Sequence, residues 1–313
     1  MVNVLNPVDI RKYVTNCSSL AALLEVSAYP KPGNVHRHSD GFTTNYEQFL
    51  AGSVSIGPVM GHLAEKSSKK ENIGLGKSIN NAVDEMFRWQ KGGNTHLGVI
   101  LLFAPISAGA GLALSKGSLN LDELREHIKN IIKKSQSKDS IHIYNAINKA
   151  MSQENLGTSN KLDITNAKSI ETIRRDKITP LEIFEICSKK DLICQEWVTG
   201  FSIVFQQGYP FLNEKLSKGA RINNATVDTF LKILSENPDS LIIRKSGEKN
   251  AEQVSQKAKR ILESGGSQSE EGVNKLWILD KELKKKKGRL NPGTTADLTA
   301  ASLFILCLTG WKP

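Results

Sequence analysis

The chain has 313 residues, 39% hydrophobic and 24% charged, which suits a globular protein and argues against a disordered one. That length can bury a sizeable core without staples. A formal charge of +10 points to an anionic partner without saying which, while 6% aromatics supplies no stacking platform for single strands.

The N-terminal Met-Val-Asn-Val-Leu-Asn-Pro lacks a basic segment followed by an apolar one, so no secretory signal is expected. Phe49, Ser53, Ile56, Met60 and Leu63 recur at helical spacing and predict a helix over Tyr46 to Lys66. Gly52, Gly57 and Gly61 weaken it unless a backbone packs close, from this chain or from a second copy. Ile79, Val83, Met86, Phe87 and Gln90 mark the next helix. The apolar run Val99 to Leu114 falls short of the ~18 to 20 residues that span a bilayer, contains Pro105, and reads as a buried core helix. Leu121, Leu124, Ile128 and Ile131 give another helix, capped by Asn120 with Glu123 closing a box.

Gln153 to Lys177 is polar and reads as loop-rich. Thr179-Pro180-Leu181-Glu182 has a cap, a first-turn proline and a third-position Glu, a strong helix start, and Asp191 can cap the helix that follows. Later helices are expected near Ala225 to Glu236, Lys249 to Ser264, Glu270 to Lys286 and Ala296 to Thr309. The best strand candidate is the short Leu241-Ile242-Ile243. The lysine-rich Lys281 to Arg289 reads as a solvated helix end, where cations favour the dipole. Cys17, Cys187, Cys194 and Cys307 form no CxxC pair and read as buried free thiols of a reducing, cytoplasmic setting. The fold class is therefore all-α, one multi-helix domain over residues 1–313, with ligand loops at one end.

Three Gly-containing polar loops break the helical pattern. They are Glu25 to Arg37, Gly92 to Gly98 and Asn291 to Asp297. The second and third lead into helices, whose N-termini offer free N–H groups and a positive dipole end suited to phosphate. Each also has a plain reading. Asn94 or Thr95 can be only an N-cap. Thr294 and Asp297 have the spacing of a capping box. Pro30, Pro32 and Gly33 can simply turn the chain. His36, His38 and His96 can be satisfied locally, and Glu25 at the edge of an apolar face is either paired or functional. No GxxxxGK[ST], GxGxxG after a strand, HExxH, zinc spacing or GxSxG is present.

At these loops the chain resembles the triphosphoribosyl-dephospho-CoA synthase family, in particular its archaeal-type branch. The family's Glu-Val-x-x-x-Pro-Lys-Pro-Gly loop is matched by Glu25, Val26, Pro30, Lys31, Pro32, Gly33 and Arg37. Its Asn-Thr-His-Lys-Gly loop is matched by Asn94, Thr95, His96 and Gly98, and its Pro-Gly-x-x-Ala-Asp-Leu loop by Pro292, Gly293, Ala296, Asp297 and Leu298. A weaker match is Glu196 with Gly200-Phe201. The chain departs where it has His36 in place of Asp, Leu97 in place of Lys, and Asn45 near a downstream Asp.

The resemblance implies a cytoplasmic transferase. A ribose hydroxyl of 3′-dephospho-CoA attacks C1′ of ATP, adenine leaves, and the triphosphate stays on the transferred ribose through an oxocarbenium-like transition state. For that reaction Glu25, Asp297 and His96 are taken as the catalytic candidates. Lys31, Arg37 and Lys245 would neutralise phosphate, with Gly33, Asn34, His36, Gly93, Asn94, Thr95, Glu196, Gly293 and Thr294 completing the substrate site. His36 or His96 would protonate adenine. Glu25, Asp40 and Asp297 would hold Mg²⁺ bound with ATP. The expected partners are ATP and a nucleotide-like acceptor, not a membrane or nucleic acid. The rival readings are a related transferase with another acceptor, a non-catalytic nucleotide sensor, and a nucleic-acid binder using Lys284 to Lys287.

Overall fold

A computed structural model describes residues 2–3, 9–151, 162–164 and 166–313. Among them are fifteen α-helices and one two-stranded pairing, β1 (Val2–Asn3) antiparallel to β2 (Ser118–Leu119). The helices are α1 (Ile10–Ser27), α2 (Tyr46–Ser68), α3 (Leu75–Trp89), α4 (Leu97–Leu114), α5 (Leu121–Lys134), α6 (Ser137–Ala150), α7 (Ala167–Arg175), α8 (Pro180–Cys187), α9 (Leu192–Thr199), α10 (Tyr209–Ser217), α11 (Ile222–Glu236), α12 (Ser240–Ser246), α13 (Glu248–Glu263), α14 (Glu270–Lys284) and α15 (Gly293–Leu308).

Two of these helices, α4 and α15, are apolar all round, and such helices belong in a core. They pack together through Phe103 and Phe304, ring centroids 4.5 Å apart. Helix α4 is long and apolar enough to cross a membrane, but 89% of it is buried inside the protein, as a core helix would be. The close-approach glycines are answered within the chain. Gly57 lies against Ser19 and Thr15 of α1, and Gly61 against Thr15 and the Arg11 carbonyl. A second apolar cluster joins α11, α12, α13 and α14, and it also takes in Ala28 after α1 and Ala296 of α15. The segments that follow α1 and precede α15 therefore lie at the seam between the two clusters.

Local cap signals act as expected except at α5, where Asn120 caps but Glu123 closes no box and pairs with Lys116 instead. Asn45 and Gln48 form a reciprocal capping box at α2, and Thr179 and Glu182 form one at α8. Asn120 accepts from Glu123 N–H at 3.0 Å, and Asp191 accepts from the first turn of α9.

Four expectations are corrected. Leu241-Ile242-Ile243 is helical, inside α12, because Asp239 caps it from the front by accepting Leu241 and Ile242 N–H. The polar stretch Gln153 to Lys177 contains α7; residues 152–161 and 165 lie outside the described residues. Cys187 and Cys194 form a disulfide across the short α8–α9 turn, leaving Cys17 and Cys307 as buried free thiols. Thr294 and Asp297 do not make a capping box, since no side chain caps α15.

Candidate active site

The loop after α1 turns back on itself, and its position is set from four sides. Asn223 of α11 grips the Tyr29 backbone with both ends of its amide, at 3.0 and 2.8 Å. Asp280 of α14 accepts the Gly33 N–H at 2.9 Å. Asn34 donates to the Pro292 carbonyl at 3.3 Å, joining this loop to the start of α15. His36 and Ser39 exchange backbone hydrogen bonds that close the turn. Gly33 has φ +76°, and a side chain there would strike Leu283 and the Leu290 carbonyl. Glycine is required at that position on both counts.

The turn drives Lys31 inward. Its ammonium is fully buried and paired with the buried carboxylate of Glu25, in the last turn of α1. Burial pushes the Glu25 carboxyl up and the Lys31 ammonium down, and each partner opposes that shift in the other.

Asp297 lies beside this pair. It makes no hydrogen bond or ion pair with any described residue, yet the residue keeps partial solvent contact. Burial first, and then the negative charges of Glu25, Asp239 and Asp191, raise its carboxyl well above the ordinary range. Its carboxylate rests on the first turn of α4. A Cβ on Gly98 would sit 2.0 Å from Asp297 Oδ2, so only glycine leaves room. The helix N-terminus is a favourable place for that charge.

The loop before α4 is tight. The N-cap of α4 is His96, not Asn94 or Thr95; Asn94, two residues earlier, accepts the Leu97 N–H at 2.9 Å. His96 is buried. Its Nδ1 meets Thr95 Oγ1 at 2.8 Å and its Nε2 meets Ser53 Oγ at 3.1 Å. Its ring fills the space where a side chain on Gly52 would be. Desolvation pushes its pKa down to about 3, so the ring is neutral at working pH and does not serve as an imidazolium acid for adenine. It orients Thr95 instead. Gly93 has φ +79° and open space around it, consistent with a backbone turn that faces a ligand.

At the other edge of the site Asp239 is fully buried. It caps α12 with one oxygen and with the other accepts the Thr295 N–H at 2.7 Å and hydroxyl at 2.8 Å. Ser240 donates to Thr294 at 3.0 Å. Thus α12 is bolted to the N-terminus of α15, which fixes Gly293, Thr294 and Asp297. Asp191 pairs with Arg244, and half-buried Lys245 follows; burial and Arg244 lower the Lys245 pKa. The amide oxygen of Asn291, in the loop before α15, is a buried acceptor without a protein partner.

Several expected residues are placed elsewhere. Exposed Asp40 accepts the Tyr46 N–H at 2.9 Å and helps start α2, apart from Glu25 and Asp297. Among the described residues no three Asp, Glu, His or Cys side chains gather as a metal cage. Glu196 points away, accepting the N–H groups of Ile203 and Val204 at 2.8 and 2.9 Å; burial raises its pKa to about 7. Arg37 is exposed, donates to the Ser27 carbonyl at 2.8 Å and stacks 5.2 Å over Tyr29. Surface clefts of 440 and 580 Å³ open beside the C-terminal half of α2 and include none of the site residues. Asp239, Asp280 and Asn223 hold the site and were not among the expected residues. Asp239 had a usable signal, since Asp-Ser just before the apolar Leu241-Ile242-Ile243 is a typical N-cap sequence.

A family model described as CitG, ATP:dephospho-CoA triphosphoribosyl transferase, matches residues 11–313. This chain belongs to that transferase family. A relative in Klebsiella pneumoniae, named 2-(5''-triphosphoribosyl)-3'-dephosphocoenzyme-A synthase, is 23% identical over 96% of this chain and 95% of its own. A similarly named protein of Pseudomonas fluorescens Pf-5 is 34% identical over 111 residues, and the match spans 36% of this chain and 38% of the relative. The crystal structure of an Archaeoglobus fulgidus protein assigned as a triphosphoribosyl-dephospho-CoA synthase superposes with a TM-score of 0.64 at 27% identity, covering 84% of this chain and 100% of that one. Family membership agrees with the geometry, since the loops that carry the resemblance converge on Glu25, Lys31 and Asp297. Of the family departures, Asn45 keeps a capping role that Asp would also fill, and Leu97 lies buried in the core.

Proposed function

We propose that the seam between α1, α4, α12 and α15 binds the ribose and triphosphate of ATP and transfers triphosphoribose to a hydroxyl of 3′-dephospho-CoA. The observation that carries this reading is the partnerless carboxylate of Asp297 beside the buried Glu25–Lys31 pair. Burial and the nearby carboxylates disfavour the charged form of Asp297, so ionising it beside that pair leaves an excess negative charge in a desolvated place, and a cation there would stabilise it. An oxocarbenium-like ribose is one, developing in the transition state.

In the proposed step the acceptor oxygen bonds to C1′ of ATP as the C1′–N9 bond breaks, and the electron pair leaves on adenine. The hydroxyl proton passes to Asp297, whose raised pKa makes it a competent base, and adenine takes up one proton in exchange. Glu25 and Asp297 stabilise the positive charge at C1′. Lys31 and Lys245, with the backbone at Gly93 and at the N-terminus of α15, face the phosphates. The residues also fit Mg²⁺, which commonly uses one or two carboxylates plus substrate phosphates; Asp297, Glu25 and the orphaned Asn291 oxygen are its candidate holders. When bound it would offset triphosphate charge. A cytoplasmic location is part of the same proposal, since that is where a transferase consuming ATP meets it.

The test is chromatography of adenine from protein incubated with ATP, Mg²⁺ and 3′-dephospho-CoA. Adenine release that needs the acceptor and vanishes in Asp297→Asn supports the reading. ATP binding without adenine from any nucleotide-like acceptor would overturn it in favour of a sensor.

A further inference from the structure

The run Lys281 to Lys287 has one member unlike the rest. Lys281, Lys285, Lys286 and Lys287 are exposed, whereas Lys284 has a side chain only 20% exposed and points back along α14 toward the loop after α1. Its Nζ lies 3.4 Å from Asp280 Oδ1 and 3.4 Å from His36 Nε2. Charge-assisted bonds are usually shorter, about 2.7–2.9 Å.

Neither neighbour can satisfy the ammonium fully. Asp280 Oδ1 already accepts the Gly33 N–H at 2.9 Å, and Oδ2 faces His36 Nε2 at 3.4 Å. His36 Nδ1 accepts the His38 N–H at 3.3 Å. The neutral ring must then carry its proton on Nε2, where it donates to Asp280 and offers Lys284 no lone pair. Trp277 closes the remaining side of His36, ring centroids 5.8 Å apart. Lys284 is therefore a half-buried cation, held in place by Asp280 and short of acceptors. Desolvation lowers its pKa; Asp280, by charge and hydrogen bond, and then Asp40 oppose the shift, and the charge of Lys31 adds to it.

We propose that Lys284 is a phosphate-binding residue of the ATP site, delivered from α14, with Asp280 its positioning residue. This rests on the reading above that Lys31, in the loop after α1, faces the phosphates, and it adds a cation outside the loops that carry the family resemblance. A phosphate oxygen would supply the missing acceptor, and a second cation beside Lys31 suits a triphosphate better than a monophosphate. The exposed lysines of the same run have no such geometry.

The experiment compares wild type with Lys284→Gln, Lys284→Arg and the control Lys286→Gln. Binding of inorganic triphosphate is read by calorimetry, and KM for ATP and for 3′-dephospho-CoA by adenine release. Lys284→Gln is expected to weaken triphosphate binding and raise the ATP KM by roughly tenfold or more, as for loss of one bond to a charged group. The acceptor KM should stay within about threefold. Lys284→Arg should recover most of the loss, and Lys286→Gln should match wild type. A folded Lys284→Gln protein that binds triphosphate like wild type overturns the proposal, as does a change confined to the acceptor KM. If no protein releases adenine but triphosphate binding still depends on Lys284, the proposed reaction fails and this assignment stands.

Discussion

Replacing Glu25 by Gln separates the structural part of the Glu25–Lys31 pair from its chemical part. The wild-type pair is buried on both sides, so its charges are taken out of water and compensate each other. Removing one charge of such a pair costs about 3–5 kcal/mol, because the other is left uncompensated. Two features of this site favour the lower end. Gln retains an oxygen that can accept from Lys31, and Asp297 still attracts that ammonium. A loss near 3 kcal/mol in a chain of 313 residues corresponds to a fall in Tm of roughly 4–5 °C. The double variant Glu25→Gln/Lys31→Met removes both charges and should recover most of that stability. Turnover should behave differently. Glu25→Gln should lower kcat by at least about a hundredfold, and the double variant should recover none of it, since the carboxylate facing C1′ and a phosphate cation are both gone. Scanning calorimetry and adenine release on the same preparations check both parts. A Glu25→Gln protein that melts with wild type would refute the buried pair. A double variant that regains turnover along with stability would refute its catalytic role.

Asp297→Asn should abolish turnover yet stabilise the unliganded protein at alkaline pH. The folded-state pKa of Asp297 lies above its unfolded value, so its favourable contribution is full in acid and is lost as pH rises through the raised value. The Tm gain of the variant should therefore grow from pH 5 to pH 8, and Mg²⁺ should raise the Tm of wild type more than that of the variant; a gap independent of pH counts against the burial described. Gly98→Ala places a methyl 2.0 Å from Asp297 Oδ2 and must displace that carboxylate, so kcat should fall by about a hundredfold or more while circular dichroism stays native. Unchanged kcat would remove Asp297 from the reaction. Glu196→Gln leaves one of two buried N–H groups, Ile203 or Val204, facing an amide NH₂, at a cost of about 1–3 kcal/mol. Its kcat below the melting range should stay within about twofold of wild type, and a larger loss would return Glu196 to the substrate site.

Most of the helices were legible because their signals are local. Asn120, Thr179 and Asp191 cap within three residues of themselves, and no distant contact is needed to see them. Where a local preference misled, a neighbour outside the window decided. Leu241-Ile242-Ile243 has strand-like side chains, but Asp239 before it and Thr295 across from it hold the segment as helix. Cys187 and Cys194 were unreadable as a pair because their contact depends on how sharply α8 meets α9. The site shows the same division more clearly. Its loops are visible as glycine-interrupted polar segments, since close backbone approach requires particular residues in a row. Its charge balance is not visible, because Asp280, Asp239 and Asp297 differ only in what the fold brings to them. Asp280 receives Gly33, His36 and Lys284; Asp239 receives α12 and Thr295; Asp297 receives no hydrogen bond to its side chain from the described residues, only a helix end, nearby carboxylates and the more distant charges of Lys31 and Arg244. Three aspartates of one chemical type thereby become two clamps and one candidate base. The base is the one to which the fold leaves no partner, and a partner there would offset the charge that the transferred ribose needs.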